Sequence, residues 1–586
     1  MKLPSVLDGL ISRIPLTDKI PGSPGEKVLL ELDLGRGLAE AGPTNPLEAL
    51  RALRTPQLRT LVDHLRKAQT DDTVVGLIGV IYGGGLTLAQ ANELRAAVRS
   101  FRTSGKPTVA FSPAFGELGD GSVGYHLATA FEEIWLQPAS TLGLVGFQAG
   151  ATFLRGTLDK LGIQPEFGQR HEYKSAADTF TRTDLTEPHR EMLTRLVESI
   201  TEQVVADIAS DRNLEVEAVR EAMDHAPLAP EDALERRLVD RVGYRDEAYA
   251  SVRERIGVAE PTLRYVERHG VSKFSAVMSQ LPKPAGKPSI AVIDAIGSIA
   301  AGHPRTSPGG GRQIGSESLG AALRAAAKDK NIAGVVLRID SPGGSAVASD
   351  SLRRDILQVR LGGKPVVASM ASVAASGGYY IAMPCDRIVA SPGTITGSIG
   401  VLAGKLVLRG AFDKIGLNQR FIAGSKRAAM FSSQEPFDEE EWAVLDAWLD
   451  RIYDDFTAKA ALDRNLPVED LRAVAKGRVW TGADALGHRL VDRLGGLADA
   501  IEETCTLLDV TRRDVEVVPF PKPNPFAAFQ PPESSEAVTL AATLPLEGPV
   551  LWQRLVTGLQ GATGLVVPGV LSLPPVHLPG VLPDRY

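Results

Sequence analysis

Two cysteines, Cys385 and Cys505, are all that this chain of 586 residues holds. Two thiols give no disulfide framework and no paired-cysteine metal site, and they leave the compartment open. No long basic run occurs. The 64 Lys and Arg residues nearly balance 71 Asp and Glu, for a net charge of −7. Nucleic acid is therefore not an expected partner. A GxSxG elbow, an SxxK pair, an HExxH helix and a Walker loop are all missing, which removes the common routes to other mechanisms.

An uninterrupted apolar leader is missing too. Asp8, Arg13, Asp18 and Lys19 break the first residues every few positions. Neither an ordinary secretory signal peptide nor an N-terminal membrane span is expected from that pattern. The opposite end lacks charge instead. Residues 555–583 contain no Asp, Glu, Lys or Arg, yet prolines 568, 574, 575, 579 and 583 would break a spanning helix. The expectation is a surface or interfacial tail, packed on its own protein or touching a membrane.

What is present is an ordinary globular composition, 44% hydrophobic and 23% charged. At roughly 150 residues per domain the length allows about four domains or two large ones. The organisation is a tandem duplication, the first thing to look for in a long chain. Gly105-Lys-Pro-Thr-Val-Ala returns as Gly363-Lys-Pro-Val-Val-Ala. Ser122-Val-Gly-Tyr returns as Ser376-Gly-Gly-Tyr, and Asp211-Arg-Asn-Leu as Asp463-Arg-Asn-Leu. Ala233-Leu-Glu-Arg-Arg-Leu-Val-Asp-Arg returns as Ala485-Leu-Gly-His-Arg-Leu-Val-Asp-Arg. The register drifts only slightly along the copies, as small loop changes would produce.

The expected plan is an N-terminal extension with first strands at 1–69, then a first repeat at 70–255. A Pro-containing linker follows at 256–287, a second repeat at 288–512 and a Pro-rich apolar tail at 513–586. The patch Ser307-Pro-Gly-Gly-Gly-Arg reads as an exposed loop. Within the second copy, apolar β-branched runs at Ser289–Asp294, Ile332–Ile339 and Pro365–Met370 alternate with helical segments at Gly320–Asp329 and Ser349–Leu361. That alternation argues for parallel βαβ units in a sheet covered on both faces.

Four segments carry possible chemistry. Asp340-Ser-Pro-Gly-Gly-Ser follows a buried strand, and its two glycines leave backbone N–H groups open to an anion or oxyanion. Taken alone it is as readily a tight turn. Ala374-Ala-Ser376-Gly-Gly-Tyr places a serine among small residues at a strand-to-helix bend, suited to a nucleophile or to a helix N-cap. Gly393-Thr-Ile-Thr-Gly-Ser398-Ile-Gly suits an edge strand or a site wall. Tyr173-Lys174-Ser-Ala lies in the first copy. A lysine acts as general base only when neutral, about 3–4 units below its reference pKa near 10.4, and apolar burial can supply that bias. Spacing alone would not select Lys174.

In order and within a duplicated frame, these segments resemble the signal peptide peptidase SppA (protease IV) family in its tandem-repeat form. The resemblance covers residues 70–505. It implies an α/β fold of two tandem ClpP/crotonase-like domains, with parallel spiral-wound sheets flanked by helices. It implies Ser376 as nucleophile, Lys174 as general base, Ser398 as the serine that hydrogen-bonds the lysine, and Gly343 with Gly377 as oxyanion hole. No cofactor and no metal are required. The expected substrates are hydrophobic peptides such as signal-peptide remnants, the expected assembly a homotetramer, and the expected place the bacterial cell membrane, with a cytoplasmic or peripheral placement left open by the charged N-terminus.

The base and the nucleophile then come from different copies. A pseudo-equivalent pair, Ser122 and Lys426, reads as degenerate, because Leu144 replaces Ser398 and Tyr82-Gly-Gly-Gly replaces Asp340-Ser-Pro-Gly. Lys426 stays open as a second candidate base for Ser376, since single-copy relatives draw their lysine from such a position. Two further readings stay open: an inactive peptide-binding scaffold, and an acyl-CoA enzyme of the same superfamily.

Overall fold

The computed structural model describes residues 26–42, 55–117, 119–269, 286–303, 312–521 and 570–572. The first 25 residues lie outside the described residues, as do nearly all of the loop expected at 307–312, half of the linker and most of the tail. The first half supplies β1 (Val28–Asp33), β2 (Val74–Val80), β3 (Thr108–Ser112), β4 (Glu133–Leu136), β5 (Gln164–Arg170), β6 (Arg241–Val242) and β7 (Thr262–Tyr265). The second supplies β8 (Ser289–Ile296), β9 (Ser298–Ala300), β10 (Gln313–Gly315), β11 (Ile332–Ser341), β12 (Gly343–Ser345), β13 (Val366–Ala375), β14 (Arg387–Ala390), β15 (Ile395–Gly397), β16 (Val401–Val407), β17 (Val479–Thr481), β18 (Arg493–Leu494) and β19 (Glu516–Pro519). Far along the chain comes β20 (Val570–Ser572).

The chain is α/β, as expected. One sheet runs β6-β4-β3-β2-β1-β7 with every pair parallel. Another runs β17-β15-β13-β11-β8-β19, parallel except between β15 and β17. Its central strands are buried along nearly their whole length, β13 without exception, which explains their near-continuous apolar sequence. Both sheets reach past the repeat boundaries read from the sequence. β7 from the linker and β19 from the tail form edges of the two sheets, and β1 from the N-terminal extension is the inner strand between β2 and β7. The segment read as an edge strand or a site wall forms β15, which is an inner strand and not an edge. The Thr394 and Thr396 hydroxyls tie it to the Ala371 and Ala374 carbonyls at 2.7 Å each.

The duplication is visible side chain by side chain. Each repeat has a 26-residue helix, Glu187–Arg212 and Glu439–Arg464, ended by an asparagine with φ of 50°. The first buries Met192, Leu196, Ile200, Val204 and Ile208, one residue per turn, the stripe an amphipathic helix needs. Buried Arg95 meets Asp211 at 2.8 Å, and Arg353 meets Asp463 at 2.7 Å. The Tyr125 hydroxyl donates to the Leu238 carbonyl, and the Tyr379 hydroxyl to that of Leu490.

The repeats are fused rather than merely tethered. Val373, Ala375, Ile395 and Val479 of the second repeat belong to the core of the first. Buried Arg338 forms ion pairs with Glu40 and Glu93 across the junction, and Glu93 also accepts from Leu497 N–H at 3.1 Å. A further junction is made by backbone. β5 of the first repeat pairs antiparallel with β16 of the second over seven residues, from Val401↔Arg170 to Val407↔Gln164. A third sheet, β10-β9-β12-β20-β16-β5, is built around that pairing.

Candidate active site

β5 carries the chain out of the first repeat and over the second. The next residues form a short turn from Ser175 to Ala177, and Lys174 stands just before it. Tyr173 N–H donates to the Lys476 carbonyl at 3.2 Å, fixing the backbone there. Gly477 makes the close approach possible. Its φ is +80°, and a Cβ on it would stand 2.5 Å from the Lys174 Cβ. Gly400 does the same beside Arg170, where a Cβ would stand 2.8 Å from the carbonyl oxygen. Gly477 belongs to none of the four segments singled out in the sequence, whereas Gly400 closes the segment that contains Ser398 without a role of its own assigned there. An isolated glycine carries no periodic signal, and its reason lies in a residue some 300 positions away.

Ser376 ends β13 and opens the short helix Gly377–Ala382. Its φ and ψ are 56° and −113°, a region that non-glycine residues avoid. Such a conformation costs of order 1–3 kcal/mol and persists only when its surroundings impose it. Here the Ser376 N–H donates to the Gly397 carbonyl at 2.8 Å, and its own carbonyl accepts from Tyr380 N–H at 2.9 Å. The following glycines pack against the Asp340-Ser-Pro-Gly-Gly loop. A Cβ on Gly377 would lie 3.1 Å from the Gly343 Cα, and one on Gly378 would lie 2.5 Å from the Ser341 carbonyl oxygen.

The Lys174 side chain enters this bend. Its Nζ lies 2.8 Å from Ser376 Oγ, 3.0 Å from the Ser398 carbonyl oxygen and 3.0 Å from Ser398 Oγ. All three residues are fully buried. Among the described residues no carboxylate offsets the lysine's charge. Burial alone drives its pKa well below the ordinary lysine value, because low-dielectric surroundings penalise the ammonium form. A neutral amine has two N–H groups and one lone pair. Three contacts are as many as that inventory allows, with the two Ser398 oxygens able to accept and the Ser376 hydroxyl able to donate or accept.

Ser398 follows β15 and also has a positive φ, 52°. Its N–H donates to the Arg478 carbonyl at 2.7 Å. The glycine loop is close by. Gly343 and Gly344 have φ of 106° and 153°, and a Cβ on Gly344 would fall 2.0 Å from the Ile299 carbonyl oxygen. The Gly343 N–H donates to Ser341 Oγ at 3.2 Å, a long bond that a better acceptor would displace. The sequence did not mark Ser341 as a contributor to the site. The Gly377 N–H opens a helix, where the first amide groups have no partner within the helix.

Lys426 is not at this site. Its side chain is 67% exposed and its Nζ pairs with Glu440. Ser122 begins the helix Ser122–Ala128, and its Oγ accepts from Gly146 N–H at 3.0 Å, with no hydrogen bond to a lysine among the described residues.

Comparison with known proteins agrees with this architecture. The profile of Peptidase family S49 matches residues 100–259 and 359–511, one segment in each repeat. The chain is 34% identical over 455 residues to the chloroplastic serine protease SPPA of Arabidopsis thaliana, covering 77% of this chain and 65% of that relative. It is 29% identical over 464 residues to Protease 4 of Salmonella typhi, covering 78% and 72%. Among solved structures, the 1510-N membrane-bound stomatin-specific protease matches with a TM-score of 0.25 and 16% identity over 40% of this chain and 97% of that one.

Proposed function

The chain belongs to Peptidase family S49, and from that premise we propose that it is a serine endopeptidase whose catalytic dyad is Ser376 and Lys174. The observation that carries the reading is the buried amine 2.8 Å from the serine hydroxyl, with its other two contacts both to Ser398.

The amine's lone pair takes the Ser376 proton as Oγ attacks the peptide carbonyl carbon. The carbonyl oxygen becomes an oxyanion. The Gly377 N–H stabilises it, joined by the Gly343 N–H once that group leaves Ser341 Oγ. The Lys174 ammonium then protonates the departing amine nitrogen, and the C–N bond breaks. Water, deprotonated by the again neutral lysine, hydrolyses the ester on Ser376. Ser398 holds the lysine in place and solvates it without adding a charge. The dyad itself needs no other catalytic group.

The substrates in this reading are hydrophobic peptides, including cleaved signal peptides, and the working assembly is a homotetramer at a membrane. Both follow from the family resemblance. No helix among the described residues is long and apolar enough to cross a membrane, so contact would be peripheral or through other segments. Peptide hydrolysis by wild type, with mass spectrometry of an acyl adduct on Ser376, tests the chemistry. Light scattering in detergent and buffer tests the assembly. A wild type that neither cleaves apolar peptides nor acquires an adduct would exclude the peptidase.

A further inference from the structure

Residues 476–480 reach both ends of the lysine's surroundings. Their backbone holds Tyr173 through the Lys476 carbonyl at 3.2 Å and Ser398 through the Arg478 carbonyl at 2.7 Å. β17 begins within this stretch and pairs with β15, the strand that ends at Gly397. A bond of 3.2 Å is a weak anchor for a residue next to a general base. The side chains add a stronger one.

The Arg478 guanidinium carbon lies 4.8 Å from the centre of the Tyr173 ring and 4.4 Å from that of Trp480. Arg478 Nη1 donates to Glu191 Oε1 at 2.8 Å, and the Tyr173 hydroxyl donates to Glu191 Oε2 at 2.8 Å. Glu191 therefore ties the arginine to the tyrosine with both of its oxygens. Trp480 is buried, and its indole N–H donates to the Val474 carbonyl at 2.9 Å, so one face of the sandwich is fixed. The Glu191 side chain is 54% exposed, and an ion pair so open to water contributes little to stability. What the arrangement supplies is geometry. A planar guanidinium between two rings, with a carboxylate gripping two partners, defines where Tyr173 can lie.

The repeats provide an internal comparison. Trp480 pairs with Thr396, and the corresponding bridge of the first repeat is Leu142↔Leu228. In that register Ala226 stands for Arg478 and Leu228 for Trp480. Glu191 corresponds to Ala443 at the same position of the second 26-residue helix, and Tyr173, before Lys174, to Ser425, before Lys426. All four members are thus absent from the counterpart cluster, and there Lys426 stands in solvent. The pairs Arg95–Asp211 and Arg353–Asp463, which serve the scaffold, occur in both copies. The four-residue cluster occurs only where a lysine meets a serine.

We propose that Arg478 is a positioning residue for the general base. Stacked between Tyr173 and Trp480 and tied to Tyr173 through Glu191, it holds the Tyr173-Lys174 backbone of the first repeat against the segment of the second that carries Ser398. The Lys174 amine is thereby kept within hydrogen-bond reach of Ser376. The inference rests on the peptidase reading and adds a supporting group that acts through the lysine alone.

A misplacement of about 1 Å costs on the order of 10²-fold in rate, so loss of the clamp acts on kcat. KM and kcat for an apolar fluorogenic peptide are measured on the full chain, with melting temperatures in parallel. The proteins are wild type, Arg478→Ala, Arg478→Lys, Glu191→Ala and the Arg478→Ala/Glu191→Ala double variant. Arg478→Ala should lower kcat by about 10²-fold with KM within about twofold of wild type. Arg478→Lys keeps the charge but not the flat face, and should recover no more than about tenfold of that loss. Glu191→Ala should cost about tenfold, and the double variant no more than about twofold beyond Arg478→Ala, because the residues act as one unit. Should Arg478→Ala melt below the assay temperature, Arg478→Lys and Glu191→Ala carry the same test. A folded Arg478→Ala with kcat within about twofold of wild type, or with only KM raised, overturns the proposal and leaves the dyad standing. Full rescue by lysine, or fully additive losses in the double variant, overturns it as well. A wild type that hydrolyses no peptide overturns the dyad, and the proposal with it.

Discussion

The two repeats began as the same fold and now differ most where chemistry is at stake. Their scaffolds still match: long helices of equal length, the Arg95–Asp211 and Arg353–Asp463 pairs, the Tyr125 and Tyr379 hydroxyl bonds. At the aligned serines the match ends. Ser122 is an ordinary first helical residue whose hydroxyl is satisfied by Gly146. Ser376 is held at positive φ, and its hydroxyl faces a buried amine. Leu144 fills the first core at the position where the second repeat has Ser398. The lysine that would serve Ser122 by symmetry, Lys426, stands in solvent on Glu440. In the proposed dyad the first copy carries the base and the second the nucleophile, which would tie the two copies into one working unit.

The contrast can be broken most severely at the serines. Ser376→Ala should lower kcat/KM by about 10⁴-fold or more, whereas Ser122→Ala should change it less than about twofold. Equal losses in one peptide assay would restore a role to the first site. The next effect is on pH. Lys174 must be neutral to accept a proton, and burial lowers its pKa. Activity should therefore be present above that lowered pKa and fall about tenfold per pH unit below it. Lys174→Arg, charged throughout, should be inactive at every pH tested, and an unchanged acid limb in that variant would remove the lysine from the mechanism.

Gly477→Ala should force the Lys174 backbone aside and lower kcat by about 10²-fold with the fold intact by circular dichroism. Unaltered kcat would mean that the close approach is not needed. Ser398→Ala removes one of three contacts to the amine and should reduce kcat about tenfold, while Leu144→Ala in the first repeat should act on thermal stability alone, by about 2–5 kcal/mol. A kcat loss from Leu144→Ala as large as that from Ser398→Ala would undo the asymmetry.

Much of this was legible in the sequence. The repeated segments gave the duplication, and the apolar runs of the second copy lie in β8, β11 and β13. Ser376 lay in a small-residue bend that marked it out. Lys174 did not, because what makes it special is burial between two repeats, and no local pattern encodes that. The family resemblance named it, and the structure places it against Ser376. Gly477 was missed for the same reason, since it matters through a contact distant in sequence, while Gly400 and Ser341 lay inside marked segments in which no local pattern assigned them a role of their own. The strands β1, β7 and β19 were assigned to flanking regions because they are set apart in sequence from the repeated cores. The pairing of residues 570–572 beside Gly343 had no sequence signal beyond a chargeless tail.

The central claim is that the base comes from the first repeat and the nucleophile from the second. The most direct measurement is kcat/KM of wild type, Lys174→Ala and Lys426→Ala on one apolar fluorogenic peptide at one pH above neutrality. The account predicts a loss of about 10³-fold or more for Lys174→Ala and a value within about twofold of wild type for Lys426→Ala. Loss in Lys426→Ala with activity retained in Lys174→Ala would show that the second repeat supplies its own base, and would contradict the account.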